Sequence, residues 1–143
     1  MSQTSETGRP GRTTTTASLS LASYVATDIE ALSSFYAAVF DLPEVTELRS
    51  DIFVGLDLGG VTLGFSAPVV YEMLSIEPWA NPKGTSQYLT FEAATDEEVT
   101  RLTAVAMEQG AELRHQPYET YYGAFQSVLA DPEGNIFRIN HFR

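Results

Sequence analysis

DPEGNIFRI, Asp131 to Ile139, is best read against DLGGVTLGF, Asp57 to Phe65. Both begin with Asp, pass two residues, reach Gly and run into an apolar-rich strand. The fourth residue after that Gly is Gly64 in the first copy and Arg138 in the second. Strand side chains alternate between faces, so the two positions are matching places on a repeated hairpin. One carries no side chain and the other a permanent cation.

Working outward, the rest of each half repeats as well. ASLSLASYV, residues 17–25, alternates like a strand. TDIE, Thr27 to Glu30, reads as a capping box with Thr27 as the cap. Ile29, Leu32, Phe35 or Tyr36, and Val39 or Phe40 then give one apolar helical stripe, closed by Pro43. DIFVGLDL and VTLGFSA are two strands around the Gly59-Gly60 turn. In the second half, SQYLTFEA predicts a strand and TDEE, Thr95 to Glu98, a second capping box. Val99, Leu102 and Ala106 form its stripe, and Gly110 its stop. AELRHQ, FQSVLA and NIFRINHF complete that half as strands. Thr27 and Thr95 are 68 residues apart, while Asp57 and Asp131 are 74 apart, a difference that one loop insertion explains.

The expected architecture is α+β, two tandem βαβββ modules. Residues 1–16, half Ser and Thr, read as a disordered tail, since they cannot offset their ordering entropy by burial. Residues 17–143 read as a single domain: module one 17–67, a linker 68–85, and module two 86–143. The linker holds three prolines and the only Trp, Trp79; long irregular connections of this kind often cover a site.

Composition narrows the function. The chain has 143 residues and a net charge of −11, with a single lysine. A nucleic-acid partner is not expected, because phosphate binding needs clustered Lys and Arg. No segment reads as a transmembrane helix or as a secretory signal. There is no Cys, which removes thiolate chemistry and fits the cytoplasm, the expected compartment.

These motifs resemble the vicinal oxygen chelate superfamily, which includes glyoxalase I, extradiol dioxygenases and the bleomycin and fosfomycin resistance proteins. Asp28 with Phe35-Tyr36, the Gly59-Gly60 turn, Tyr122-Gly123 and the Asp131-Pro132-Glu133-Gly134-Asn135 stretch carry the resemblance, which spans about Ser18 to Phe142. It implies that each module curls its sheet and that the paired modules form a cup. It also implies that metal-dependent members place His or Gln and Glu at four positions. In this chain these are Leu21 (or Ser20, one register away), Gly64, Tyr88 and Arg138. None suits a divalent cation: two lack donor atoms, neutral Tyr is a poor ligand, and Arg repels. His115 and His141 are the only histidines. His141 is out of phase with Arg138 and Asn140, and His115 lies near a loop. No metal and no cofactor is therefore expected.

In place of a metal, the cup is expected to hold a small, ring-containing molecule. Arg138, Asn140 and Ile136 share one face of their strand, as do Tyr88, Thr90 and Glu92 on theirs, and Leu21, Ser23 and Val25 on the first. Gly64 is expected to leave open volume opposite Arg138. Trp79 and Tyr71 from the linker, with Tyr121, Tyr122 and Phe125, can supply flat walls. Arg138 has two possible partners, Glu92 or a ligand carboxylate, phosphate or carbonyl. Two functions remain open. One is metal-independent binding of the sequestration or resistance type. The other is a metal-free isomerase, lyase or cyclase acting on a carbonyl compound, with Glu92 as general base and Tyr88 as oxyanion partner. The resemblance further implies a homodimer; whether the modules pair within a chain or across the dimer stays open.

Overall fold

A computed structural model describes residues 18–80 and 87–143. The tail expected at residues 1–16 and the end of the linker lie outside these described residues. The elements are β1 (Leu21–Val25), α1 (Ile29–Phe40), β2 (Phe53–Asp57), β3 (Thr62–Ser66), a one-turn α2 (Val70–Met73), β4 (Leu89–Glu92), α3 (Asp96–Glu108), β5 (Glu112–Glu119), β6 (Ala124–Ala130) and β7 (Ile136–Phe142). Single 3-10 turns lie at Thr46–Leu48 and Glu77–Trp79.

Hydrogen bonding divides the strands into two sheets, β1-β3-β2 and β4-β7-β6-β5, each with a parallel pair first and antiparallel pairs after it. The repeat holds in register. Gly64 pairs with Ser23, and Arg138 pairs with Thr90, so Ser23 and Thr90 are matching positions, as are Leu21 and Tyr88. The modules are nevertheless unequal. Module one has three strands, βαββ, rather than the expected four. Beside β2, where β5 stands in the other half, runs an irregular segment that makes only isolated bridges, Glu44 to Leu56 and Ser50 to Phe53.

Local signals explain most boundaries. Gly59 and Gly60 both have positive φ, which a glycine adopts without Cβ strain, and they close the β2–β3 hairpin. Thr95 caps α3, accepting from the Glu98 amide. The Glu98 side chain does not reach back; it pairs with Arg101. The cap of α1 differs from expectation: it is Asp28, which accepts from the Ala31 amide. Thr27 is drawn instead into a contact with module two. Its amide and hydroxyl both donate to Glu133 Oε1, and the Asp28 amide donates to Oε2. The turn of the DPEGN stretch thus grips the start of α1.

The core lies between the helices and one face of each sheet. Phe35 and Tyr36 of α1 pack edge-on against Phe137 of β7, while Phe40 stacks on Phe91 of β4 at 3.9 Å. Tyr36 also meets Tyr24 and Phe65 of module one. Helix α1 therefore spans both sheets. Inside this cluster the Tyr36 hydroxyl donates to Asp131 Oδ2 at 2.8 Å. Asp131 Oδ1 accepts from the Glu133 and Asn135 amides, closing the turn.

Burial pushes the Tyr24 hydroxyl up to about 12 and drives Tyr36 well above the usual tyrosine range. The folded chain keeps these protons where the unfolded chain loses them, near pH 10. The stabilisation is therefore complete below about pH 10 and is lost as pH rises towards the folded value, at about 1.4 kcal/mol per pH unit for each group. Urea midpoints are expected to fall steeply above about pH 10, and less steeply in Tyr24→Phe. A midpoint flat through this range would contradict the buried pair.

Candidate functional site

Alternation sends Phe137, Ile139 and His141 of β7 to the helix side, and Arg138 and Asn140 to the other face. His141 Nδ1 meets the Ala93 carbonyl at 3.0 Å, away from Arg138 as its phase requires. The helix-averted face of the second sheet carries a connected polar group centred on Arg138. Its Nε donates to Thr90 Oγ1 at 3.0 Å. Its Cζ lies 4.8 Å from the centroid of the Tyr88 ring, a cation–π contact. Its Nη1 makes two long contacts, at 3.4 Å, to the Tyr122 hydroxyl and Gln126 Oε1. Tyr122 donates to the same Gln126 Oε1, and Gln126 Nε2 donates to the Tyr118 hydroxyl, both at 3.0 Å.

Arg138 does not pair with Glu92. Glu92 Oε1 accepts from Asn140 Nδ2 at 2.9 Å, and Oε2 from the Phe142 amide at 2.7 Å. The cation leans towards Tyr88 and the carboxylate towards Phe142, in opposite directions along the sheet. Asn140 is buried, and its Oδ1 has no partner among the described residues. Each other described arginine has a carboxylate: Arg49 with Glu30 and Glu44, Arg101 with Glu98, Arg114 with Glu112, and Arg143 with Asp96 and Glu119. Arg138 is the exception among the described residues.

Around this group the rings of Tyr88 and Tyr122 stand half-exposed. Tyr121 is 99% exposed and meets only the Tyr122 edge. Phe125 turns to the helix side, where it packs against the core. The Trp79 side chain lies outside the described residues. Tyr71 lies elsewhere, with Thr27, Pro68, Glu133 and Asn135, around a cavity of about 560 Å³. The carboxylate of Glu133 and the amide of Asn135 in that cavity are already bonded to Thr27, Asp28 and Asp131. The Arg138 group keeps donors to spare, so it is the stronger candidate.

Sequence reasoning missed Gln126 and Tyr118. Tyr118 follows Pro117, and the expected strand stopped at Gln116, whereas β5 continues to Glu119 past two irregularities in its pairing with β6. Pro is tolerated there because β5 is an edge strand. His115 packs against Tyr118 in a tilted arrangement, with ring centroids 3.9 Å apart.

The matching half of module one is filled. A Cβ built on Gly64 would meet Phe53 Cε1 at 2.6 Å and Ser23 Oγ at 3.1 Å. The open volume expected above Gly64 is thus occupied by the Phe53 ring, a cross-strand neighbour. Leu21, on the same sheet, is exposed. Gly64→Ala is expected to cost about 1–3 kcal/mol by overpacking, read from urea midpoints. In a Phe53→Ala background that cost should largely vanish; equal costs in both backgrounds would contradict the packing.

The resemblance places the superfamily's metal-ligand positions at Leu21 (or Ser20), Gly64, Tyr88 and Arg138. Among the described residues, no group of three or more His, Cys, Asp or Glu stands together to hold a metal. These residues do not fit the ion.

Residues 20–140 match the family described as glyoxalase-like domain. The chain belongs to that family. It is thereby a member of the vicinal oxygen chelate superfamily. A glyoxalase/bleomycin resistance protein/dioxygenase family enzyme from Burkholderia phytofirmans PsJN is 42% identical, with 89% of this chain and all of that one covered, at a TM-score of 0.86. A glyoxalase-related enzyme from Fulvimarina pelagi shares the fold at 20% identity, with 87% of each chain covered and a TM-score of 0.78. The lactoylglutathione lyase of Agrobacterium tumefaciens does so at 20% identity, with 87% and 93% covered and a TM-score of 0.67. No curated protein matches the chain. No helix among the described residues is long and apolar enough to cross a membrane.

Proposed function

We propose that this glyoxalase-like protein binds a small ring-containing molecule on the helix-averted face of its second sheet, without a metal ion. The observation that carries this reading is Arg138, standing at a metal-ligand position and flanked by Tyr88 and Tyr122. A cation there replaces the charge that a metal would supply, and half-exposed rings beside it suit stacking. The ligand presents an acceptor to Arg138 and a flat surface to the tyrosines.

The relatives named as enzymes keep catalysis in view, with Glu92 as the base. Glu92 supports binding better. Both its oxygens already accept hydrogen bonds from its own strand neighbours, which ties it into the sheet. A homodimer is part of the proposal, because the superfamily resemblance implies one; sedimentation checks it.

The experiment is equilibrium dialysis of EDTA-treated protein against a panel of aromatic and heterocyclic molecules. Saturable binding, unchanged by added divalent metal and without conversion of the bound molecule, is the expected result. Binding that appears only with metal, or turnover that is lost in Glu92→Gln, would overturn it.

A further inference from the structure

The ligand's acceptor can be specified further, granted the binding reading above. Arg138 offers five N–H hydrogens in a planar fork. Nε is spent on Thr90 at 3.0 Å, which fixes the plane of the fork. Nη1 is only weakly engaged, at 3.4 Å, and no acceptor among the described residues takes a hydrogen from Nη2. The Tyr88 ring lies over the guanidinium group, so a ligand approaches the fork edge-on, at the Nη1–Nη2 end. Two parallel hydrogens at that end match the two oxygens of a planar carboxylate.

Charge favours a monoanion. The site provides one cation, with Tyr118, Tyr122, Gln126 and Thr90 around it, and the Glu92 carboxylate of the same face is turned away towards Phe142. The face has no second Lys or Arg and no helix N-terminus among the described residues, as a phosphate dianion would favour. The surrounding chain, at −11, adds repulsion that grows with ligand charge. A neutral carbonyl would leave half the fork unused. Module one offers no second site, because Phe53 fills the space above Gly64.

We infer that the site is built for a ring-bearing carboxylate, one per chain, held end-on by the Nη1–Nη2 edge of Arg138 with its ring against Tyr122 and Tyr88. The test uses three probes of similar size: benzoate, benzamide and phenyl phosphate. Each is titrated into isotopically labelled full-length protein and followed by amide and arginine side-chain chemical shifts. Benzoate is expected to bind about tenfold or more tightly than either other probe, with shifts at Tyr88, Thr90, Tyr122 and Arg138. Arg138→Gln should remove the preference for benzoate over benzamide. Arg138→Lys, which keeps the charge but not the fork, should remove most of it. Equal binding of benzoate and benzamide at this face would overturn the carboxylate inference and leave the binding function standing. A preference for phenyl phosphate would overturn it in favour of a phosphate ligand. Failure of all three to shift this face would overturn both.

Discussion

Tyr36→Ala is expected to destabilise the fold by about 3–5 kcal/mol, the usual cost of truncating a large buried aromatic side chain. Tyr36 is fully buried and touches rings from both modules: Tyr24 and Phe65 on one side, Phe91 and Phe137 on the other. Its removal opens a cavity at the junction that α1 makes between the sheets. It also leaves Asp131 Oδ2 without its 2.8 Å donor. In a chain of this length the melting temperature should drop by about 10 °C or more. Tyr36→Phe isolates the polar part. The ring stays, and the loss of one buried hydrogen bond should cost about 1–3 kcal/mol. Similar losses in the two variants would mean that the ring is poorly packed, against the structure.

Arg138→Gln is the second large effect, and it falls on binding rather than stability. Arg138 is partly exposed and has no carboxylate partner among the described residues, so its removal leaves no buried charge behind. The fold should change by no more than about 0.5 kcal/mol, as for ordinary surface substitutions. The affinity for a ring-bearing carboxylate such as benzoate should fall about 10–100-fold, the range for losing charge-assisted hydrogen bonds. Calorimetry with the parent and the variant checks both halves. A large loss of stability with unchanged affinity would recast Arg138 as a structural residue.

Much of this was legible in the sequence. The two Asp–Gly turns fixed the repeat, and the repeat set Gly64 against Arg138. Strand pairing then confirmed their matching registers through Ser23 and Thr90. What stayed hidden depended on contacts between distant segments. Thr27 and Asp28 are both good helix caps, and local pattern could not choose between them. Glu133, 105 or more residues away, takes Thr27 for its own. Residues 44–50, EVTELRS, carry polar side chains at five of seven positions, so local pattern gave no strand there, and a fourth strand was expected of module one from the repeat alone. Gln126 lies in an ordinary strand, FQSVLA, and its role comes only from the neighbours that register brings to it. The filling of Gly64's space by Phe53 is likewise a cross-strand event.

The asymmetry of the two halves is the central claim: module one's position is closed by a ring, and module two's is opened around a cation with no carboxylate partner among the described residues. The most direct measurement maps benzoate-induced chemical shifts over the whole chain after EDTA treatment. Saturable shifts confined to Tyr88, Thr90, Tyr122, Gln126 and Arg138, with Ser23, Phe53 and Gly64 unmoved, are the expected result. Shifts centred on Phe53 and Gly64, or shifts that require added metal, would contradict it.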